Sequence, residues 1–240
     1  MFVPAGVWLI DQPIILTKSS YTLKGDQKKT ILRFVGAGRL FFNGGLAPTP
    51  GITNIVMTQF TVDTHAIDPG PEPVLFRNCD GCKVTYNSFG DRVAYSDIGV
   101  LMLEGGINGA VQNNSFKLGY LQLNPLGGSK NSGFLVSNNT FDSARVLLIG
   151  VSNSRVTRNT FNNLSLGNML QIEVATTANA IASDILIDYN TMDAVLDPSK
   201  ANAVLIAGEP QDPNIKGSVK RFYVRNNTLR GTSAHINAQV

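Results

Sequence analysis

Ionisable and amide side chains recur at fixed places in a repeated four-residue phrase, and that is where chemistry would be built. The phrases are Val74-Leu75-Phe76-Arg77, Leu101-Met102-Leu103-Glu104, Leu121-Gln122-Leu123-Asn124, Leu147-Leu148-Ile149-Gly150, Leu170-Gln171-Ile172-Glu173, Val204-Leu205-Ile206-Ala207 and Ala234-His235-Ile236-Asn237. First and third positions are apolar nearly throughout and face a core; second and fourth positions vary and face out. One outward column then reads Arg77, Glu104, Asn124, Gly150, Glu173, Ala207, Asn237. The other reads Leu75, Met102, Gln122, Leu148, Gln171, Leu205, His235. Stacked as neighbouring strands, column members stand about 4.8 Å apart. Arg77 and Glu104 become an adjacent pair, extended by Asn124 and Gln122 and bordered by Tyr120 and by Tyr95 of "GDRVAYSD". A strip of guanidinium, carboxylate, amides and aromatics suits sugar hydroxyls and acidic sugars.

The same strip limits the reaction. A two-carboxylate glycoside hydrolase needs its carboxyls roughly 5 to 9.5 Å apart, and Glu104 and Glu173 are three rungs, about 14 Å, apart by strand spacing. A lyase or epimerase instead needs a base and a group that neutralises the substrate carboxylate; Tyr95, His235, Lys130 and Arg77 are the available types. The candidate catalytic set is Glu104, Arg77 and Tyr95. The candidate substrate contacts are Asn124, Gln122, Gln171, Glu173, His235 and Tyr120. The competing reading of the strip is a solvated sheet face with a charge ladder. No cofactor is implied. Cys79 and Cys82 in C-D-G-C supply two thiolates where a structural zinc site takes four ligands, and a small residue in a tight turn is the reading for Cys82.

A second phrase explains what positions the first. Val84-Thr85-Tyr86-Asn87-Ser88-Phe89 returns as Val111 to Phe116, Val136 to Phe141, Val156 to Phe161, Ile187 to Met192 and Val224 to Leu229, at intervals of 20 to 37 residues. Ile55-Val56-Met57-Thr58-Gln59-Phe60 reads as an early degenerate copy with Thr58 in the asparagine place. A repeat of this length marks a solenoid. Helical periodicity is absent, and each repeat reads as strand, turn, strand, asparagine, strand. Asparagine tolerates the left-handed conformation better than other residues with a side chain, so it turns the chain between second and third strands. Its stacked amides are expected to bond into a ladder, with the following Phe file buried. The fold predicted is all-β: a single right-handed parallel β-helix of about eight to nine rungs over residues 1–240, with one file of Phe89, Phe116, Phe141, Phe161, Met192 and Leu229.

Composition agrees. Of 240 residues 43% are hydrophobic and 15% charged, with net charge +3. The basic residues are scattered, which argues against nucleic-acid binding. No eighteen-residue apolar run exists, so no membrane span is expected, and no signal peptide opens the chain. "DPGPEP" (68–73) and "GEPQDPN" (208–214) read as surface loops. Neither end carries a capping element, which predicts further residues beyond both ends or another chain over at least one.

At this point the sequence resembles the pectate-lyase-like right-handed β-helix superfamily. The N-N-x-F phrase carries the resemblance, with the opening "FVPAGVWLIDQPIIL…YTLKGDQKKTILRF", similar to the "P-A-G-x-Y … L-x-G-x-G-x-x-T-x-L" entry of phage tail spikes, glycosidases and mannuronan epimerases. Here Trp8 stands for the usual Tyr and Gln27 for the second Gly. The resemblance covers essentially the whole chain and is specific for fold. Catalytic phrases of polygalacturonases and pectate lyases are absent, and "DTHAIDPGPE" has His65 before rather than after Asp68-Pro69. The resemblance implies an extracellular or virion-surface module that binds, cleaves or modifies a polysaccharide; any enzyme would be a lyase, hydrolase or epimerase. It implies a parallel homotrimer as the assembly. The alternative is a non-catalytic structural module, a shaft or surface-array repeat that self-associates end to end.

Overall fold

The computed structural model describes residues 1–27, 29–45, 51–66, 72–90, 99–126, 131–162, 170–176, 181–193, 202–208, 218–230 and 234–239. Every strand pairing among them is parallel and no helix occurs, which is the predicted right-handed parallel β-helix. A rung consists of a first strand such as Val74–Arg77, a second such as Lys83–Thr85 and a third such as Ser88–Gly90. Among the described residues, second strands run over eight turns from Thr22–Lys24 to Ser218–Arg225. In the middle of the molecule third and first strands fuse without a loop, giving the ten-residue strands Ser115–Asn124 and Thr140–Ile149.

The asparagine phrase does build a ladder, but the turn is made one residue earlier than the sequence implies. The left-handed residues are Gln59, Tyr86, Asn113, Asn138, Arg158, Tyr189 and Asn226, with φ between 54° and 67°. The ladder asparagines, one position on, are Asn87, Asn114, Asn139, Asn159, Asn190 and Asn227. From Asn87 to Asn190 each Nδ2 donates to the Oδ1 of the asparagine in the next rung, at 3.0–3.1 Å. The double asparagine therefore divides two tasks: the first tolerates positive φ and the second satisfies buried backbone. Phe60, not Thr58, occupies the asparagine place in the early copy: its N–H donates to Asn87 Oδ1 and its side chain is fully buried. The ladder ends there because Phe60 has no side-chain amide.

The predicted core file is present. Phe89, Phe116, Phe141 and Phe161 stack at centroid distances of 4.7–4.8 Å, and Met192 and Leu229 continue the register. All but Leu229, which is half-buried, are fully buried. Towards the N-terminus the same register runs through Val62 and Leu32 to Trp8.

A second left-handed corner precedes each second strand, at Asn54, Gly81, Asn108, Gly133, Asn153, Asp184 and Arg221. Asparagine and glycine alternate here for a steric reason: a Cβ on Gly81 would meet Asn54 Oδ1 at 2.7 Å, and one on Gly133 would meet Asn108 Oδ1 within van der Waals overlap. Cys82 follows Gly81 in this corner, as expected for a small residue in a turn. It is also bonded to Cys79 in a disulfide that the sequence reading did not anticipate. Both cysteines are buried. The missed signal was geometric: the Asp80–Gly81 turn brings the two Cα atoms to 5.8 Å, inside the span a disulfide bridges.

Candidate functional site

The outer face of the first-strand sheet carries the predicted strip, with its register corrected in the later rungs. Arg77, Glu104 and Asn124 are in line, and so are Leu75, Met102 and Gln122. The next rung pairs Gln122 with Leu147 and Leu123 with Leu148, so Leu148 is a core residue and Leu147 points outward. Three successive apolar residues, Leu147-Leu148-Ile149, gave alternation nothing to fix the phase. Further along, Leu147 pairs with Glu173, and Glu173 with Leu205, which pairs with Asn237. Glu173 and Asn237 thus belong to the Gln122 column rather than the Glu104 column, and Gly150 belongs to neither. Gln171 lies before Ile172, between the pairs Leu170↔Asn202 and Ile172↔Val204; His235 lies between the partners of Asn202 and Val204. Both fall on the column of Tyr120 and Arg145. "LQIEVA" and "AHINAQ" alternate over six residues, so outward parity was legible but a two-residue shift was not.

What the register assembles is a shallow trough. Its floor is Leu75, Met102, Gln122 and Leu147, which point outward and are nonetheless buried. One rail begins at Arg77, whose Nε meets Glu104 Oε2 at 2.6 Å, and continues to Asn124. The Arg77 guanidinium also lies over the Phe41 ring, 5.1 Å from its centroid, and Arg39 lies over the same ring at 6.0 Å. The other rail starts at Arg39, 3.8 Å from Glu72. It continues past Gly99, whose added Cβ would stand 3.3 Å from Glu72 Cγ and 3.5 Å from Tyr120 Cε2. It ends where Arg145 stacks on Tyr120 at 4.8 Å. Five first strands span the trough, a length of about 20 Å at the strand spacing.

The electrostatics follow from this packing. Arg77 and Glu104 are each roughly three-quarters buried and engaged with each other, so the pair presents hydrogen-bonding edges rather than a loose acid or base. Among the described residues, Asn124 Nδ2 reaches the Met102 sulfur at 3.8 Å, and its buried Oδ1 accepts no hydrogen bond. Among the described residues no three His, Cys, Asp or Glu side chains group as metal ligands.

The expected site residues divide accordingly. Arg77, Glu104, Asn124, Gln122 and Tyr120 come together on one face. Tyr95 lies in 91–98, outside the described residues, as does Lys130. Gln171, Glu173 and His235 are placed on this face by backbone register alone. Arg39, Phe41, Glu72 and Arg145 were not foreseen. The first two belong to an earlier first strand, Arg39–Asn43, whose alternation matches the phrase and would have extended both columns. Arg145 stands two positions before the Leu147 phrase and Glu72 in the segment leading to the Val74 strand, where no repeat marked them.

Comparison with known proteins places this architecture. No protein-family model matches the chain, and no curated protein matches it. Among solved structures it is similar to a variant of the PL6-family alginate lyase AlyGC, with TM-score 0.62 and 13% identity, over 99% of this chain and 37% of that one. It is also similar to PfbA, a surface adhesin of Streptococcus pneumoniae, with TM-score 0.51 and 14% identity, over 98% of this chain and 83% of that one. The chain thus spans well under half the length of the alginate lyase. It shares with both the right-handed parallel β-helix fold.

Proposed function

We propose that this chain is an extracellular or virion-surface polysaccharide-binding module, and that the trough on the first-strand face holds the glycan. The observation that carries this reading is the Arg39–Phe41–Arg77–Glu104 constellation: an aromatic ring flanked by two guanidiniums, with carboxylates 2.6 and 3.8 Å from them. Aromatic faces take the apolar faces of sugar rings, and the charged edges take hydroxyls and carboxylates. A polysaccharide lyase and a surface adhesin with the same fold support a glycan ligand and an extracellular setting. The disulfide supports an oxidising compartment. If the module is also catalytic, Glu104, Arg77 and Tyr95 are the candidate groups and lyase, hydrolase or epimerase the reaction classes.

The test is a screen of uronic-acid and neutral glycans, read in three ways: binding by calorimetry, ultraviolet absorbance of unsaturated products, and new reducing ends. Binding that Arg77→Ala abolishes supports the trough. Absence of binding to every glycan refutes it. A second reading, a structural module that stacks end to end, is favoured by the first rung, which exposes Met1, Phe2, Trp8 and Ile14 around an apolar recess of about 270 Å³.

A further inference from the structure

We propose that the outer face of the second-strand sheet carries a separate surface for an anionic polysaccharide, built on Tyr189, Tyr223, Arg158 and Arg225. This face is a different side of the solenoid from the trough.

The sequence places these residues by register. Ser152–Thr157, Ile181–Asp188 and Ser218–Arg225 are consecutive second strands, with Arg155 opposite Leu186, Leu186 opposite Tyr223, and Asp188 opposite Arg225. Ile185 and Ile187 are fully buried, and Phe222 and Val224 pack on the same core. Strand alternation therefore turns Tyr223 and Arg225 outward. Arg158, Tyr189 and Asn226 occupy the left-handed corner beside this face. Tyr189 is 52% exposed and Tyr223 59% exposed. By strand rise and strand spacing their Cα atoms stand about 11 Å apart, one rung and three residues removed.

Two observations separate this patch from ordinary surface. First, Arg158 and Tyr189 both hold φ at 54°, a region bulky residues avoid and one in which strained residues often serve function. The same corner position is filled by asparagine at 113, 138 and 226 and by Gln59 and Tyr86 in the early rungs, so the fold itself does not require a large side chain there; what sets this patch apart is that two large residues, Arg158 and Tyr189, hold the corner in adjacent rungs and touch. The Arg158 guanidinium lies over the Tyr189 ring at 5.9 Å. Second, the charges do not cancel. Asp188 is held by Arg155 at 2.8 and 3.0 Å, and Asp184 by Arg221 at 2.6 Å. Both carboxylates of the patch are thereby taken, while Arg158, Lys220 and Arg225 form no ion pair among the described residues. The face is aromatic and net positive. Exposed rings hold sugar rings by their apolar faces, and unpaired guanidiniums hold carboxylates or sulfates.

The experiment uses the whole chain and three polymers, sodium polygalacturonate, dextran sulfate and uncharged dextran, by calorimetry and affinity electrophoresis. The variant is Tyr189→Asn with Tyr223→Thr. Asn suits the left-handed corner and Thr suits an outward strand position, so the midpoint of thermal unfolding should not fall. The expected result is binding of polygalacturonate or dextran sulfate, weakened at least tenfold in the variant, and no binding of dextran. Which polymer binds identifies the held group as carboxylate or sulfate. Unchanged binding in the variant overturns the proposal. So does failure of the wild-type chain to bind either anionic polymer, or equal affinity for single-stranded oligothymidylate. Arg77→Ala separates the two faces: if it abolishes all anionic binding while the tyrosine variant binds normally, this surface falls and the trough stands. The reverse pattern retains this surface and removes the trough.

Discussion

Asn139 Oδ1 accepts two hydrogen bonds from Asn114, one from the backbone N–H at 2.9 Å and one from Nδ2 at 3.1 Å. Its own Nδ2 donates to Val111 O at 2.9 Å and Asn159 Oδ1 at 3.0 Å. The side chain is buried with all of its polar atoms engaged. Asn139→Ala strands these partners and should cost about 3 kcal/mol, read as a lower urea midpoint. Asn139→Asp is the sharper test. It keeps Oδ1 but replaces the donor Nδ2 with an oxygen, which sets an acceptor against Val111 O and Asn159 Oδ1. Burial and those acceptors favour the protonated acid and raise its folded pKa. The variant should be most stable at low pH and lose stability as pH rises through that value. A melting temperature for Asn139→Asp that rises towards neutral pH would refute the ladder account.

The Phe file makes a packing prediction. Phe141 lies between Phe116 at 4.8 Å and Phe161 at 4.7 Å and is fully buried. Phe141→Ala should destabilise by roughly 3–5 kcal/mol, with Leu229→Ala well below that because Leu229 is half-exposed. Equal losses at the two positions would contradict the burial gradient along the file.

The contrast between these residues and the trough shows what the sequence makes legible. The fold was readable because a solenoid repeats its physics: each rung needs a large apolar residue at Phe89, Phe116 and Phe141 and an amide at Asn87, Asn114 and Asn139, so local pattern and tertiary position coincide. The Arg77–Glu104 pair was readable for the same reason, being one step along a column. The identity of the left-handed residue was not, because Tyr86, Arg158 and Tyr189 do not look like turn formers. The Arg39–Phe41–Glu72 part of the trough was hidden because it depends on side chains reaching across columns. The Cys79–Cys82 bond was hidden because spacing alone did not show that the turn closes.

Tyr86 tests the corner assignment. It holds φ at 57° and is 54% exposed, while Asn113 and Asn138 fill the same position in the next rungs. Tyr86→Asn should stabilise by about 1 kcal/mol, since the left-handed conformation is less costly for asparagine. Asn87→Asp at the adjacent ladder position should destabilise instead. If the two effects were exchanged, the turn would lie on the ladder asparagine.

Asp188 gives a pH dependence. Burial by itself raises its carboxyl, but the Arg155 hydrogen bonds and the charges of Arg155 and Arg225 outweigh that and hold it below the ordinary carboxylate value. A depressed folded pKa contributes stability above the unfolded value of about 3.9, and that contribution is lost as pH falls through the folded one. Arg155→Met removes both hydrogen bonds and leaves a buried carboxylate. The loss should be about 2–3 kcal/mol at neutral pH and should shrink as acid protonates Asp188. Denaturant midpoints of both chains from neutral pH to pH 3 measure the convergence; a constant gap would mean that Arg155 acts by packing alone.

Phe41 links the trough to binding with the least disturbance of the fold. Its ring is half-buried on the outer face, outside the buried core, and both Arg39 and Arg77 rest on it. Phe41→Ala leaves the Arg77–Glu104 and Arg39–Glu72 pairs chemically intact and removes the surface that holds the two guanidiniums above the floor. Stability should fall by about 1 kcal/mol or less, the value of outward packing and stacking. Affinity for the bound glycan should fall about tenfold, about 1.4 kcal/mol, because a sugar ring loses its platform and the guanidiniums lose their orientation. Phe41→Trp should retain binding, since the larger ring keeps both contacts. Calorimetry on the three chains decides the matter: equal affinity of wild type and Phe41→Ala would show that the ring is only a support for the sheet edge and that the glycan lies elsewhere.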